Sequence, residues 1–366
     1  MKKVMVCFGT RPEAIKMCPL VKELNNRKEI ETVVCVTGQH REMLNQVLKA
    51  FNIKPDFNLD IMESKQSLFT ITQKILGNIE AILEKEKPDI ILVHGDTTTT
   101  FVVALAAFYK KIPVGHVEAG LRTNDIYSPY PEEFNRQAVG ILAKYHFAPT
   151  ERAKNNLIIE NKNPQDIFVT GNTVIDALKT TVSATYNNEI LDWTKDSKLI
   201  LLTAHRRENI GDGMKNIFSA VRRIVEDVPD VKVVYPVHLN PQIYDLAQQM
   251  LVHERIRLVE PMDVLDFHNV LAKAYIVLTD SGGIQEEAPA LGKPVLVMRN
   301  TTERPEGVEA GTLKLVGTNE ESIFNEFMKL YSDKKAYEMM AKAKNPYGDG
   351  NASQRIADVV CDFMGN

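Results

Sequence analysis

Short apolar runs and helical patterns alternate along this chain twice over, and that rhythm restricts the fold more than any other feature. In the first half the strand candidates are 4–8, 32–36, 90–93, 114–117, 145–147 and 167–169, with helical segments at 39–51, 67–86, 98–109, 132–144 and 151–160. Strands this uniformly apolar, each followed by a helix, are buried on both faces, as in a parallel doubly wound sheet. Pro19 interrupts the first helical pattern, so that helix is expected to kink or restart there. The rhythm lapses between about Gly171 and Lys198 and then resumes. Strands follow at 199–203, 232–235, 256–258, 275–278 and 294–297, with helices at 214–227, 241–251, 264–272 and 284–291. The chain's 366 residues exceed what one core usually supports. The expectation is an α/β protein of two Rossmann-like halves joined near residue 175. The amphipathic segment 352–363 could close either half.

Ligands of such sheets bind beyond the carboxyl ends of the strands, so the residues that follow the apolar runs carry the functional information. After 4–8 comes Gly9-Thr10-Arg11-Pro12-Glu13. Thr10 and Pro12 make a helix start, but Arg11 opposes the helix dipole there and implies an anionic ligand. After 90–93 comes His94-Gly95-Asp96-Thr97. Asp96 reads either as the helix cap or as a reactive carboxylate. Glu118 ends the next apolar run and precedes Ala-Gly, where a carboxylate costs energy unless paired or solvated in a cleft. Glu132 opens a helix after a Tyr-Ser-Pro-Tyr-Pro stretch and shares a face with Arg136. In the second half His205 follows strand 199–203, placed to touch phosphate or move a proton. Thr279-Asp280-Ser281-Gly282-Gly283-Ile284 joins a strand to a helix through a turn whose N–H groups can cradle a pyrophosphate. Glu287, one turn on, is placed to accept ribose hydroxyls.

Other function classes fit less well. A net charge of −4 argues against nucleic acid as the main partner. No apolar stretch is long enough to span a bilayer, and the start leads into a strand rather than a signal peptide, so a cytoplasmic protein is expected. The four cysteines lack metal-ligand spacing, and no metal is expected. No G-x-G-x-x-G follows the first strand and no G-K-[ST] loop occurs, which argues against NAD.

Taken together, FGTRPEAIKM (8–17), VHGDTTTT (93–100), GHVEAGLRT (115–123), TGNTVIDAL (170–178), TAHRREN (203–209), YPVHLNP (235–241), LTDSGGIQEEAP (278–289) and TTERPEG (301–307) resemble the bacterial non-hydrolysing UDP-N-acetylglucosamine 2-epimerases over essentially the whole chain. The resemblance implies a GT-B arrangement: two Rossmann-like domains at 1–172 and 173–351, the site in the cleft between them, and a final helix at 352–366 returning to the first. It implies interconversion of UDP-GlcNAc and UDP-ManNAc at C2 without a cofactor. It makes Asp96, Glu118 and Glu132 acid/base candidates and puts His205 near the diphosphate. Arg11, Lys16, Ser281, Gly282, Gly283, Glu287 and Arg304 would hold the nucleotide, and Phe267 with the backbone near Met262 would flank uracil. A homodimer is also implied, with UDP-GlcNAc as activator at a second site built from Gln39, Arg206 and His238; Glu42 and Lys65 depart there from some relatives. The rival readings are a hydrolysing epimerase, a UDP-sugar glycosyltransferase and a non-enzymatic UDP-sugar sensor. The glycosyltransferase lacks an acceptor patch, and the sensor would have no use for the carboxylates.

Overall fold

The computed structural model describes residues 1–38, 41–63 and 66–365. The chain divides into two compact units, Met1–Thr180 with Tyr347–Asn366, and Thr181–Pro346.

The first unit is built on β1 (Lys2–Phe8), β2 (Ile30–Val36), β3 (Phe57–Asn58), β4 (Ile90–His94), β5 (Val114–Val117), β6 (Tyr145–Ala148) and β7 (Ile167–Val169). They form one parallel sheet in the order β3-β2-β1-β4-β5-β6-β7. Met5, Ile75, Ile91, Val93 and Val102 lie fully buried between sheet and helices. The order reverses between β1 and β4, which makes the loops after those strands the sides of a crevice. Those loops carry Arg11 and Asp96.

The second unit repeats the plan with β8 (Lys198–Thr203), β9 (Val231–Pro236), β10 (Ile256–Val259), β11 (Ile276–Thr279), β12 (Val295–Val297) and β13 (Leu313–Leu315). The order β10-β9-β8-β11-β12-β13 reverses between β8 and β11, the strands followed by His205 and by Ser281-Gly282-Gly283. Every strand expected from the apolar runs forms, most of them longer by a residue or two. Two edge strands were not expected: β3 is only two residues long, and β13 reads Leu-Lys-Leu rather than as an apolar run.

The helix Arg11–Asn25 runs unbroken through Pro19, which corrects the expected restart. Its inward face, with Ala14, Met17, Cys18, Leu20, Val21 and Leu24, is fully buried, and that packing offsets the hydrogen bond Pro19 cannot donate.

The last helix, Ala352–Gly365, belongs to the first unit. Phe363 stacks on Tyr145, with centroids 4.0 Å apart, and meets Phe168 edge-on at 5.7 Å. Asp358 pairs with Arg27 at 2.7 Å. Buried Asp176, on the helix Thr173–Thr181, accepts the Ser353 and Ala352 N–H groups at 2.7 and 3.2 Å, satisfying donors that a helix start leaves open. The helix carrying Asp176 is thereby tied to the first unit. The two passages of the chain between units fall at Thr180–Thr181 and Pro346–Tyr347 rather than at 172–173 and 351–352.

Candidate active site

In the first unit, Thr10 and Glu13 form a capping box at the helix after β1. Thr10 Oγ1 accepts the Glu13 N–H, and Glu13 Oε2 accepts the Gly9 and Thr10 N–H groups at 3.0 and 2.8 Å. The other Glu13 oxygen accepts the Thr97 and Thr100 hydroxyls at 2.8 and 3.1 Å. One buried carboxylate thus locks together the loops after β1 and β4. Arg11 sits half-buried at the first helical position.

Thr97, not Asp96, caps the helix Thr98–Tyr109. The capping alternative for Asp96 therefore falls away, and its side chain is ion-paired with Arg136 instead. Arg136 Nη1 also reaches buried Glu133 at 3.0 Å, so Arg136 serves Asp96 and Glu133 rather than Glu132. Asn135 Nδ2 donates to the Asp96 carbonyl at 2.8 Å. Glu133 further accepts the Thr123 and Asn124 N–H groups, at 3.1 and 3.2 Å, which fixes the base of the loop ahead of the helix Glu132–Leu142. In that loop the peptide bonds preceding Pro129 and Pro131 are cis. Glu132 opens the helix half-buried, with no ion pair among the described residues.

Glu118 directly follows β5 with φ +63°, a left-handed backbone costing a non-glycine residue about 1 kcal/mol. Its side chain is 8% exposed and ion-paired with Lys16, itself 16% exposed. Asn172 Nδ2 donates to the same oxygen, Oε2, at 2.7 Å, and His94 Nε2 lies 3.6 Å from it. Burial pushes the Glu118 carboxyl up, but Lys16 and His94 outweigh it and hold the group well below the usual carboxylate range. Glu118 is therefore ionised at neutral pH. On the adjoining strands His116 and His146 pair in register. Burial lowers them to about 3 and about 4, so both are neutral; His116 Nε2 lies 2.7 Å from the Gly95 carbonyl oxygen.

In the second unit, fully buried Asp280 organises the loop after β8. It accepts the His205 N–H at 2.9 Å, the Arg206 N–H at 2.9 Å and Asn209 Nδ2 at 3.1 Å, and lies 3.3 Å from His205 Nδ1. His205 stacks on His238, and burial lowers its imidazole below the usual value against the pull of Asp280. The Ser281 N–H donates to Thr279 Oγ1 at 2.9 Å, shaping the turn into the helix Ile284–Ala290. Arg304 lies beside that turn, its Nε donating to Glu286 at 2.8 Å. Arg206 Nη2 donates to Glu303 at 3.0 Å. Glu287 Oε2 lies 3.5 Å from His268 Nε2, and His268 Nδ1 bonds to Thr181 Oγ1 at 2.7 Å. Half-buried Met262 and Phe267 pack on the apolar cluster of Val270 and Leu271.

The structure thus brings Lys16, Asp96 and Glu118 together beyond the first unit's strands, with Arg136 near both carboxylates, whereas Glu132 opens the following helix and is joined to them by no ion pair among the described residues. It gathers His205, Ser281, Gly282, Gly283, Glu287 and Arg304 on the second unit's strand ends. Arg206 and His238 lie in the second group, whereas Gln39 and Lys65 fall outside the described residues. Glu13, Asn172, Asp280 and Glu303 were missed. Each partners residues far away in sequence, and only the position of Asp280 beside the Ser-Gly-Gly turn could have flagged it. No helix among the described residues is long and apolar enough to cross a membrane.

Residues 22–361 match the family model described as UDP-N-acetylglucosamine 2-epimerase. The UDP-N-acetylglucosamine 2-epimerase of Bacillus subtilis (strain 168) is 60% identical over 364 residues, covering 99% of this chain and 96% of its own. The UDP-GlcNAc 2-epimerase of Neisseria meningitidis, solved bound to UDP-GlcNAc, superposes with a TM-score of 0.89 at 50% identity, covering 98% of this chain and 100% of its own. That of Methanocaldococcus jannaschii, solved with UDP-GlcNAc and UDP, gives 0.78 at 35% identity, covering 98% and 99%.

Proposed function

The chain belongs to the UDP-N-acetylglucosamine 2-epimerase family, and from that premise we propose that it interconverts UDP-GlcNAc and UDP-ManNAc by inversion at C2, releasing no free sugar. The observation that carries this reading is Glu118. It is a buried carboxylate at a parallel-strand terminus, kept ionised by Lys16, with Asp96, in the turn after the neighbouring strand β4, paired to Arg136.

The C2 proton of the substrate is hardly acidic, because the acetamido group does not stabilise a carbanion there. Departure of UDP builds oxocarbenium character at C1 and acidifies it. In the proposed cycle the C1–oxygen bond to UDP breaks, a carboxylate takes the C2 proton, and a 2-acetamidoglucal and UDP result. UDP then adds back to C1 while C2 is protonated on the opposite face. This asks for carboxylates on both sides of the sugar, the role given to Asp96, Glu118 and Glu132. Glu118 enters the cycle ionised, as an acceptor.

Charge on the departing diphosphate falls to Arg11, Arg304, the Ser281-Gly282-Gly283 N–H groups and a neutral His205 able to donate. Phe267 and the backbone at Met262 flank the base, and Glu287 takes the ribose. Water must be kept from the intermediate, since trapping would release free sugar. The same reading makes the enzyme a cytoplasmic homodimer with a second, activating UDP-GlcNAc near Arg206 and His238. The Methanocaldococcus relative was solved in complex with both UDP-GlcNAc and UDP. The product would feed cell-surface polysaccharide synthesis.

The test is incubation with UDP-GlcNAc alone in heavy water, read by NMR. Deuterium at C2 of both nucleotide sugars is the expected result. Accumulation of free ManNAc without UDP-ManNAc would replace the reading with a hydrolysing epimerase.

A further inference from the structure

Glu118 is aimed by a residue that no motif reading assigns a role. Asn172 is 3% exposed and stands between β7 and the helix Thr173–Thr181. Its Oδ1 accepts the Val174 N–H at 3.1 Å, the side-chain turn typical of Asn at a helix entrance. That bond fixes which end of the amide is which, so Nδ2 is the end presented to Glu118 Oε2 at 2.7 Å. The Asn172 N–H donates in turn to the Tyr347 carbonyl at 2.7 Å. Gly171 beside it adopts φ +88°, and a Cβ there would come within 3.2 Å of the Gly348 Cα, so the turn is braced against the returning chain. Lys16 reaches the carboxylate through a long, flexible stem, whereas Asn172 is held at both its backbone and its Oδ1.

We infer that Asn172 is the positioning residue for Glu118: it fixes the direction of the carboxylate and, by donating to Oε2, keeps Oε1 open to the substrate. This rests on the proposed role of Glu118, since a structural carboxylate would need no aiming. The charged and titratable groups around Glu118 are Lys16 from the first helix, His94 from the end of β4 and Arg136 from the helix Glu132–Leu142.

Two substitutions separate positioning from folding. Asn172→Asp keeps the acceptor for Val174 but turns a second carboxylate toward Glu118. Asn172→Ser also caps, but is too short to reach it. Asn172→Ser is expected to melt close to the wild type and Asn172→Asp lower, because it buries a second carboxylate against Glu118; both are expected to lose about 10–100-fold in kcat with KM changed less than about threefold, since the aim of a reacting group is what is lost. The acid limb of kcat/KM should move to higher pH in both, further in Asn172→Asp, because Glu118 loses a donor and in one case gains a like charge. Carbon-13 NMR of the Glu118 carboxyl reads the same shift without turnover. An unchanged kcat and acid limb in folded variants would overturn the inference, as would an unmoved Glu118 titration. Wild-type protein that fails to epimerise UDP-GlcNAc, while its Glu118 titration still responds to Asn172→Asp, would reject the proposed reaction and leave the positioning contact standing.

Discussion

Replacing Lys16 by Met tests the electrostatics that hold Glu118. The pair is largely withdrawn from water, with side chains 16% and 8% exposed. Opposite charges about 4 Å apart at an effective dielectric near 20 attract by about 4 kcal/mol, and removing one partner of a buried pair typically costs about 3–5 kcal/mol because the other stays desolvated. In a unit of this size about 3 kcal/mol corresponds to a fall of roughly 6–12 °C in melting temperature. The deficit should depend on pH with a definite sign. In the wild type Glu118 is depressed, so its contribution is present above the unfolded carboxylate range and lost as pH falls through the folded value. In Lys16→Met the upward push of burial has lost its main opponent, so the penalty is greatest at neutral pH and shrinks as acid protonates Glu118. Differential scanning calorimetry of the first unit's transition at neutral pH and near pH 5 reads both effects, and repeating Lys16→Met in a Glu118→Gln background should leave less than about 1 kcal/mol of it. A variant melting within about 2 °C of the wild type at neutral pH would refute the reasoning. So would an equal deficit in the Gln background.

Further outcomes follow from the same geometry. Asp96→Asn and Glu118→Gln should each lower turnover about 10²–10⁴-fold, with UDP affinity by calorimetry nearly unchanged; undiminished turnover would remove their acid/base roles. Gly282→Ala places a Cβ 2.8 Å from Glu303 Oε1, which must move and disturb Arg206 and Arg304. Titration with UDP should show roughly tenfold weaker binding, about 1.4 kcal/mol, and unaltered affinity would place the diphosphate elsewhere. His116 and His146 are depressed to about 3 and about 4, so they stabilise above the ordinary histidine value and that stability is lost on acidification. Each should contribute about 2 kcal/mol of acid lability between about pH 6.5 and pH 5. His146→Gln should flatten that slope in urea titrations, and an unchanged slope would contradict neutral burial.

The strands were legible because near-continuous apolar runs bounded by Gly, Asp and Thr admit few other readings. Val114–Val117 and Ile167–Val169 appear at the residues expected. β3 and β13 were not, since Phe57–Asn58 is only two residues long and Leu313–Leu315 is interrupted by Lys314 rather than continuously apolar. Capping was legible only to within a residue. Asp96 and Thr97 are both good caps, and the choice between them is made by Arg136, forty positions on. Glu13 reads in sequence as an acid complementing a helix dipole, and its grip on Thr97 and Thr100 exists only once β1 and β4 are neighbours. Asn172 lies inside the matched run TGNTVIDAL, yet the bond from its Nδ2 to Glu118 Oε2 joins positions 54 apart. The left-handed backbone of Glu118 left no compositional trace, because Glu is not a residue that favours it.

The first unit is discontinuous in sequence, and this imposes an order on its assembly. A ribosome delivers Tyr145 and Phe168 early, but Phe363, which packs against both, emerges only after the whole of Thr181–Pro346 has been made. The second unit is a single uninterrupted stretch and can fold as it leaves the exit tunnel. The half bearing Asp96 and Glu118 must wait, its core open along β6 and β7 until the closing segment arrives. A released chain truncated ahead of residue 352 would therefore present a completed second sheet and an unfinished first one.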